Sequence, residues 1–223
     1  MPCDIGYRIY APIRIPEPVP LEFKSKNEAP KIDAELLERL GETDPDFNQA
    51  LEAMDVIPLL KEALKRTLAK IKVNANLRFQ ISDTGYLEAK ASFTSQAQKA
   101  QLEKLTAEIA GQFQLEVMKI IAEILDYQLE VIQSKDSWEI IGEKDEEADV
   151  HSYLKISKSA DGRGELCFEH FKTPKAADLE NDKLVALLQK CGIALKLGKA
   201  RKAGQPINTG TIHKDFLPSR NQN

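Results

Sequence analysis

Apolar and polar residues alternate with period two over residues 77–93 and again over 153–171, each time interrupted once by a turn rich in glycine and polar residues. In the first stretch Leu77, Phe79 and Ile81 alternate with Arg78 and Gln80, and Ser82-Asp83-Thr84-Gly85 makes the turn. Leu87, Ala89, Ala91 and Phe93 then alternate with Glu88, Lys90 and Ser92. Successive side chains of a strand point to opposite faces, so the pattern predicts a half-buried antiparallel hairpin. In the second stretch 153–157 pairs with 165–171 across Ala160-Asp161-Gly162-Arg163-Gly164, where two glycines permit positive backbone angles. Between them, 129–133 and 138–141 form a further hairpin, and 142–149 reads as a hydrated acidic loop.

A different period marks the helices. Leu102, Leu105, Ile109, Phe113, Val117, Ile120 and Ile124 fall at steps of three or four, behind a Ser95 cap with Gln98 three residues on. They predict a helix of about thirty residues, in which Gly111 costs roughly 1 kcal/mol relative to Ala and marks a bend or a close contact. Leu36, Leu37 and Leu40 predict a short helix over 34–40 stopped by Gly41, followed by a polar turn over 42–48. Asp55 caps a helix through Ile71, with Leu60, Leu64 and Leu68 on one face and Pro58 in its first turn. Asn181 caps the last helix, which carries Leu184, Leu187 and Leu188 and stops at Gly192. Residues 193–197 add an edge strand.

The first thirty residues contain six prolines, which neither continue a helix nor donate to a ladder. Ile5, Tyr7, Ile9, Ile13 and Ile15 lie at odd positions, the period of one strand face. This is an extended arm lying partly against its own core or against another chain. The class is therefore α+β: a mostly antiparallel sheet built from successive hairpins, covered by one long and several shorter helices. The expected organisation is a proline-rich arm over 1–30, a short helix and turn over 31–54, a core over 55–197 with two hairpin-then-helix units, and a flexible basic tail over 198–223.

Composition narrows the function classes. No stretch is apolar enough to cross a bilayer, and the first residues lack a secretory pattern, so a cytoplasmic location is the default. Three cysteines, Cys3, Cys167 and Cys191, are too few and too scattered for a disulfide framework. The net charge of -4 divides unevenly: residues 196–223 carry about +5 and the rest about -9.

The candidate chemistry is sparse. Cys167 and His170, completed by Cys191 or His151, are a possible zinc set, but residues three apart in a strand face opposite ways unless a bulge intervenes. The same cysteines carry no sign of the electropositive setting that activates a thiol, and residues 161–164 join two strands rather than opening a phosphate-binding helix. Lys196, Lys199, Arg201 and Lys202 form a basic cluster able to contact nucleic-acid phosphates, without interleaved aromatics for stacking. The leading expectation is a non-enzymatic protein-interaction module with another protein as partner and no cofactor or metal. A nucleic-acid-binding protein using those four basic residues is the alternative, and a small-molecule enzyme the third.

Overall fold

The computed structural model describes residues 5–14, 31–73, 77–91, 96–134, 137–147, 150–193, 195–197 and 201–208. They form an α+β fold that divides into two compact units, the division falling within the two longest helices.

The first unit is a seven-stranded antiparallel sheet with the ends of those helices. Its strands are β1 (Ile5–Arg14), β4 (Gln128–Gln133), β5 (Trp138–Glu147), β6 (Val150–Lys158), β7 (Arg163–Phe171), β8 (Lys196–Leu197) and β9 (Arg201–Asn208). The order is β4-β5-β6-β7-β1, with β8 and β9 sharing the far side of β1. The β6–β7 turn closes by Ser159 N–H donating to Arg163 O at 2.7 Å, with Gly162 at φ 76° and Asp161 accepting from the Ser159 hydroxyl and the Arg163 amide.

Ile140, Leu154, Ile156, Leu166 and Phe168 are fully buried and belong to one face, as the cross-strand pairs Leu154↔Phe168 and Ile156↔Leu166 require. Phe171 lies three residues beyond Phe168, yet the two rings meet edge to face at 6.0 Å. The reason is a bulge. Against β1 the register passes from Ile9↔Phe168 to Tyr7↔Phe171, and His170 adopts φ 65°. One extra residue in β7 returns Phe171 to the side of Phe168. On the same side Tyr127 lies against Gly142, where a Cβ would sit 3.0 Å from Tyr127 Cβ and Cδ1, and Lys144 reaches Glu180 at 3.2 Å.

The second unit contains α1 (Ala34–Thr43), α2 (Pro45–Ala53), α3 (Ile57–Lys70) and the separate hairpin of β2 (Leu77–Ile81) with β3 (Leu87–Ala91). Residues 96–121 of α4 (Gln96–Ile124) and the last turns of α5 (Pro174–Lys190) complete it. The β2–β3 turn packs on α3, with Leu60 Cδ1 3.3 Å from the Cβ position of Gly85. Lys190 donates to the backbone carbonyls of Leu51 and Glu52 in the last turn of α2, where the Leu51 carbonyl also accepts from the Met54 amide. Glu116, fully buried on α4, accepts from Lys70 (2.7 Å), Lys119 (3.2 Å) and Gln112 (2.8 Å).

Several expectations change. Gly41 does not stop α1; the helix runs on to Thr43, and Asp44 accepts from Phe47 N–H to start α2, with Pro45 at its first position. The expected polar turn is thus mostly helix. Asn181 lies inside α5, whose first turn receives Thr173 Oγ1 as acceptor from the Ala176 amide and begins with Pro174. A Cβ at Gly111 would meet nothing within 4 Å, so no close contact explains that glycine. The acidic stretch after Gly142 is strand through Glu147, because β6 supplies a ladder for it to pair with. Within the expected extended arm, Ile5–Arg14 is a strand paired on both sides, so of the two surfaces offered for it the chain's own sheet is the one it lies in. Pro12 lies between the β9 pairing that ends at Tyr10 and the β8 pairing that begins at Ile13, where no described partner faces that side. Arg201–Asn208 of the basic segment is likewise a ladder strand, since β1 has a second edge to pair. Ser95, Phe93 and Lys199 lie outside the described residues.

Phe79 is only half-buried, whereas Leu77 and Ile81 of the same hairpin are buried. Phe79→Ala will therefore lower stability by about 1.5 to 2.5 kcal/mol, roughly half the cost of truncating a fully buried Phe. A urea midpoint shift as large as that of a fully buried site would show that the ring is more enclosed than this.

Among the described residues, no helix is long and apolar enough to cross a membrane.

Candidate functional site

The sheet face opposite Phe168 is built differently from the core face. Alternate positions of β5, β6 and β7 place Glu143, Asp145, His151, Tyr153, Cys167 and Glu169 there. The ladder pairs Asp145 with His151 and Glu143 with Tyr153 directly across adjacent strands. Two alternating positions on each of two paired strands thus gather four polar side chains into one patch.

The distances are short. His151 Nδ1 lies 2.7 Å from Asp145 Oδ1 and 3.3 Å from Glu143 Oε1, and the Tyr153 hydroxyl donates to Glu143 Oε1 at 3.3 Å. Burial, then the nearby charges of Glu143 and Asp145, push the Tyr153 phenol above its ordinary value, which keeps it protonated and a donor. His170 stacks edge-on against Tyr153 with ring centroids 5.5 Å apart. Both histidines among the described residues therefore flank one tyrosine.

Cys3 and Lys199 lie outside the described residues, and the other candidates from the sequence have a place. Cys167 is buried, packs with Ile141 and Tyr153, and its thiol reaches Glu169 at 3.7 Å. The bulge that a Cys167–His170 pair would need is present in β7, but the group of described residues with metal-ligating atoms close together is Glu143, Asp145 and His151. Cys191 belongs to the helical unit, where burial pushes its thiol up to about 12, leaving it protonated and unreactive. Of the basic cluster, Lys196 lies in β8 opposite Arg14, while Arg201 and Lys202 lie in β9 opposite Tyr10 and Ile9.

At the other end of the sheet, the β4–β5 and β6–β7 turns border an open groove of about 500 Å³ lined by Ile132, Trp138, Glu139, Ser157, Arg163 and Glu165, among others. Beside it β4 is the terminal strand, with no described partner along its outer edge. Strand edges are normally blunted by proline, lysine or a bulge. The sequence of β4, QLEVIQ, has no proline or lysine, its register with β5 is unbroken, and Ile132 is 43% exposed.

Sequence reasoning missed the Glu143–Asp145–His151 patch because it placed the two acids in a loop. Their spacing of two, continued by the alternation of Gly142 and Lys144, was the available signal. No protein-family model, curated protein or solved structure matches this chain.

Proposed function

We propose that the protein is a non-enzymatic interaction module of the cytoplasm, and that its partner is a protein contributing an extended segment to the outer edge of β4. The observation that carries this reading is the edge with no described partner strand: alternate residues of β4 turn their backbone groups outward, with one charge at Glu130 and an exposed Ile132 beside a groove containing the half-buried Trp138. Strand addition obtains affinity from main-chain hydrogen bonds and specificity from pockets that take alternate side chains, and the groove beside Ile132 suits the second role. The buried free thiols of Cys167 and Cys191 suit a reducing compartment.

Affinity purification from the native cell, read by mass spectrometry with and without nuclease, tests the reading when parent and Ile132→Lys are run side by side. The expected result is a set of proteins retained through nuclease and depleted by Ile132→Lys, with unchanged circular dichroism because the side chain is exposed. Partners indifferent to Ile132→Lys would remove the β4 edge. Recovery of nucleic acid, with every partner lost on nuclease treatment, would replace this function by the phosphate-contacting one.

A further inference from the structure

We infer that Glu143, Asp145 and His151 form a binding site for a divalent transition-metal ion of the zinc class. The ligand atoms of these three side chains all lie within 4.8 Å of one another, so a single ion between them meets two carboxylate oxygens and one imidazole nitrogen. His151 Nδ1 already lies 2.7 Å from Asp145 Oδ1 and 3.3 Å from Glu143 Oε1, so the three ligand atoms are gathered before any ion enters.

A second observation concerns charge. The carboxylates of Glu62, Glu116, Glu139, Asp161 and Glu180 are examples in which a lysine or arginine supplies the counter-charge. Among the described residues, the partners of Glu143 and Asp145 are His151 and the Tyr153 hydroxyl. Lys144, between them in sequence, belongs to the opposite face and is engaged by Glu180. Two carboxylates are thus held beside one imidazole. A divalent cation relieves their mutual repulsion more completely than a proton shared with the imidazole. The nitrogen donor selects the borderline ions over calcium or magnesium, which take oxygen ligands. At 43%, 50% and 65% exposure for His151, Glu143 and Asp145, the site is open, and water completes the coordination. Tyr153 holds Glu143 in place from the outer side, the second-sphere arrangement that orients a ligating carboxylate.

Isothermal titration of the full chain with zinc chloride in a non-chelating buffer tests the site, with magnesium chloride as the comparison. His151→Ala, Asp145→Asn and Glu143→Gln are run beside Cys167→Ser and His170→Ala, and circular dichroism checks that each variant is folded. The expected result is zinc binding without magnesium binding, weakened about tenfold or more by each of the three site substitutions. The Cys167 and His170 variants, whose parent residues lie outside the ligand set, should retain the parental affinity. No zinc binding at about 1 mM, the weak end of useful affinities, overturns the proposal. So does loss confined to His151→Ala, which would mean adventitious binding to one imidazole, or parental affinity in all three site variants.

Discussion

Phe168→Ala will lower the free energy of unfolding of the sheet unit by about 3 to 5 kcal/mol, the range for truncating a fully buried aromatic ring. Phe168 is fully buried, is paired across strands with Leu154, and holds Phe171 edge to face. Truncation removes the ring from its apolar surroundings and leaves a cavity that two rigid strand neighbours cannot collapse into. The single tryptophan, Trp138, lies in β5 of the same sheet, so urea melts followed by its fluorescence report this unit directly. An unchanged midpoint would mean that the bulge at His170 does not bring Phe168 and Phe171 onto a shared core face.

Glu116→Ala will cost the helical unit about 2 to 3 kcal/mol, through a cavity and the loss of an acceptor for the buried Gln112 amide. The figure stays below that for a wholly enclosed ion pair because Lys70 is about half exposed and can rehydrate. Burial alone would raise the Glu116 carboxyl, but hydrogen bonds and charge from Lys70 and Lys119 outweigh it and hold the group below the ordinary glutamate value of 4.5. A carboxylate depressed in the folded state stabilises the fold above its unfolded pKa. That contribution disappears as pH falls through the folded value, because the unfolded chain then takes up the proton first. The stability difference between the parent and Glu116→Gln should therefore shrink on acidification from about pH 5.5 to about pH 3, a window set by this linkage. Helix circular dichroism is the readout, since this unit contains no tryptophan. A difference that stayed constant over that range would show that Glu116 is not held ionised by its two lysines.

The hairpins were legible where the evidence for them was local. Leu77 to Ile81 and Leu166 to Phe168 declare a strand by their own alternation, and Gly85 and Gly162 supply the positive φ that their turns use. The long helix was legible for the same reason. Other elements had local signals that pointed more than one way. Thr173-Pro174 is a helix start, but it follows directly on a strand, and Asn181 offered a second cap residue inside the apolar period. Glu143 and Asp145 alternate like a strand, yet their charge and the following Glu146 and Glu147 match a hydrated loop equally well. The pairing with β6, which gives His151 and Tyr153 as partners, decides between them.

What the sequence determined by itself is the α+β class, the hairpins and the amphipathic period of the helices. Each follows from burying one side of a short, periodic segment, and the periodicity is written within a few residues. Tertiary structure alone decided that Ile5–Arg14 pairs with Arg163–Phe171 on one side and with Arg201–Asn208 on the other. It likewise decided that β2–β3 stands outside the main sheet, and that one extra residue at His170 returns Phe171 to the core. Those outcomes depend on which distant strand satisfies a ladder edge best, a competition among all the backbone donors and acceptors of the chain that no local pattern encodes.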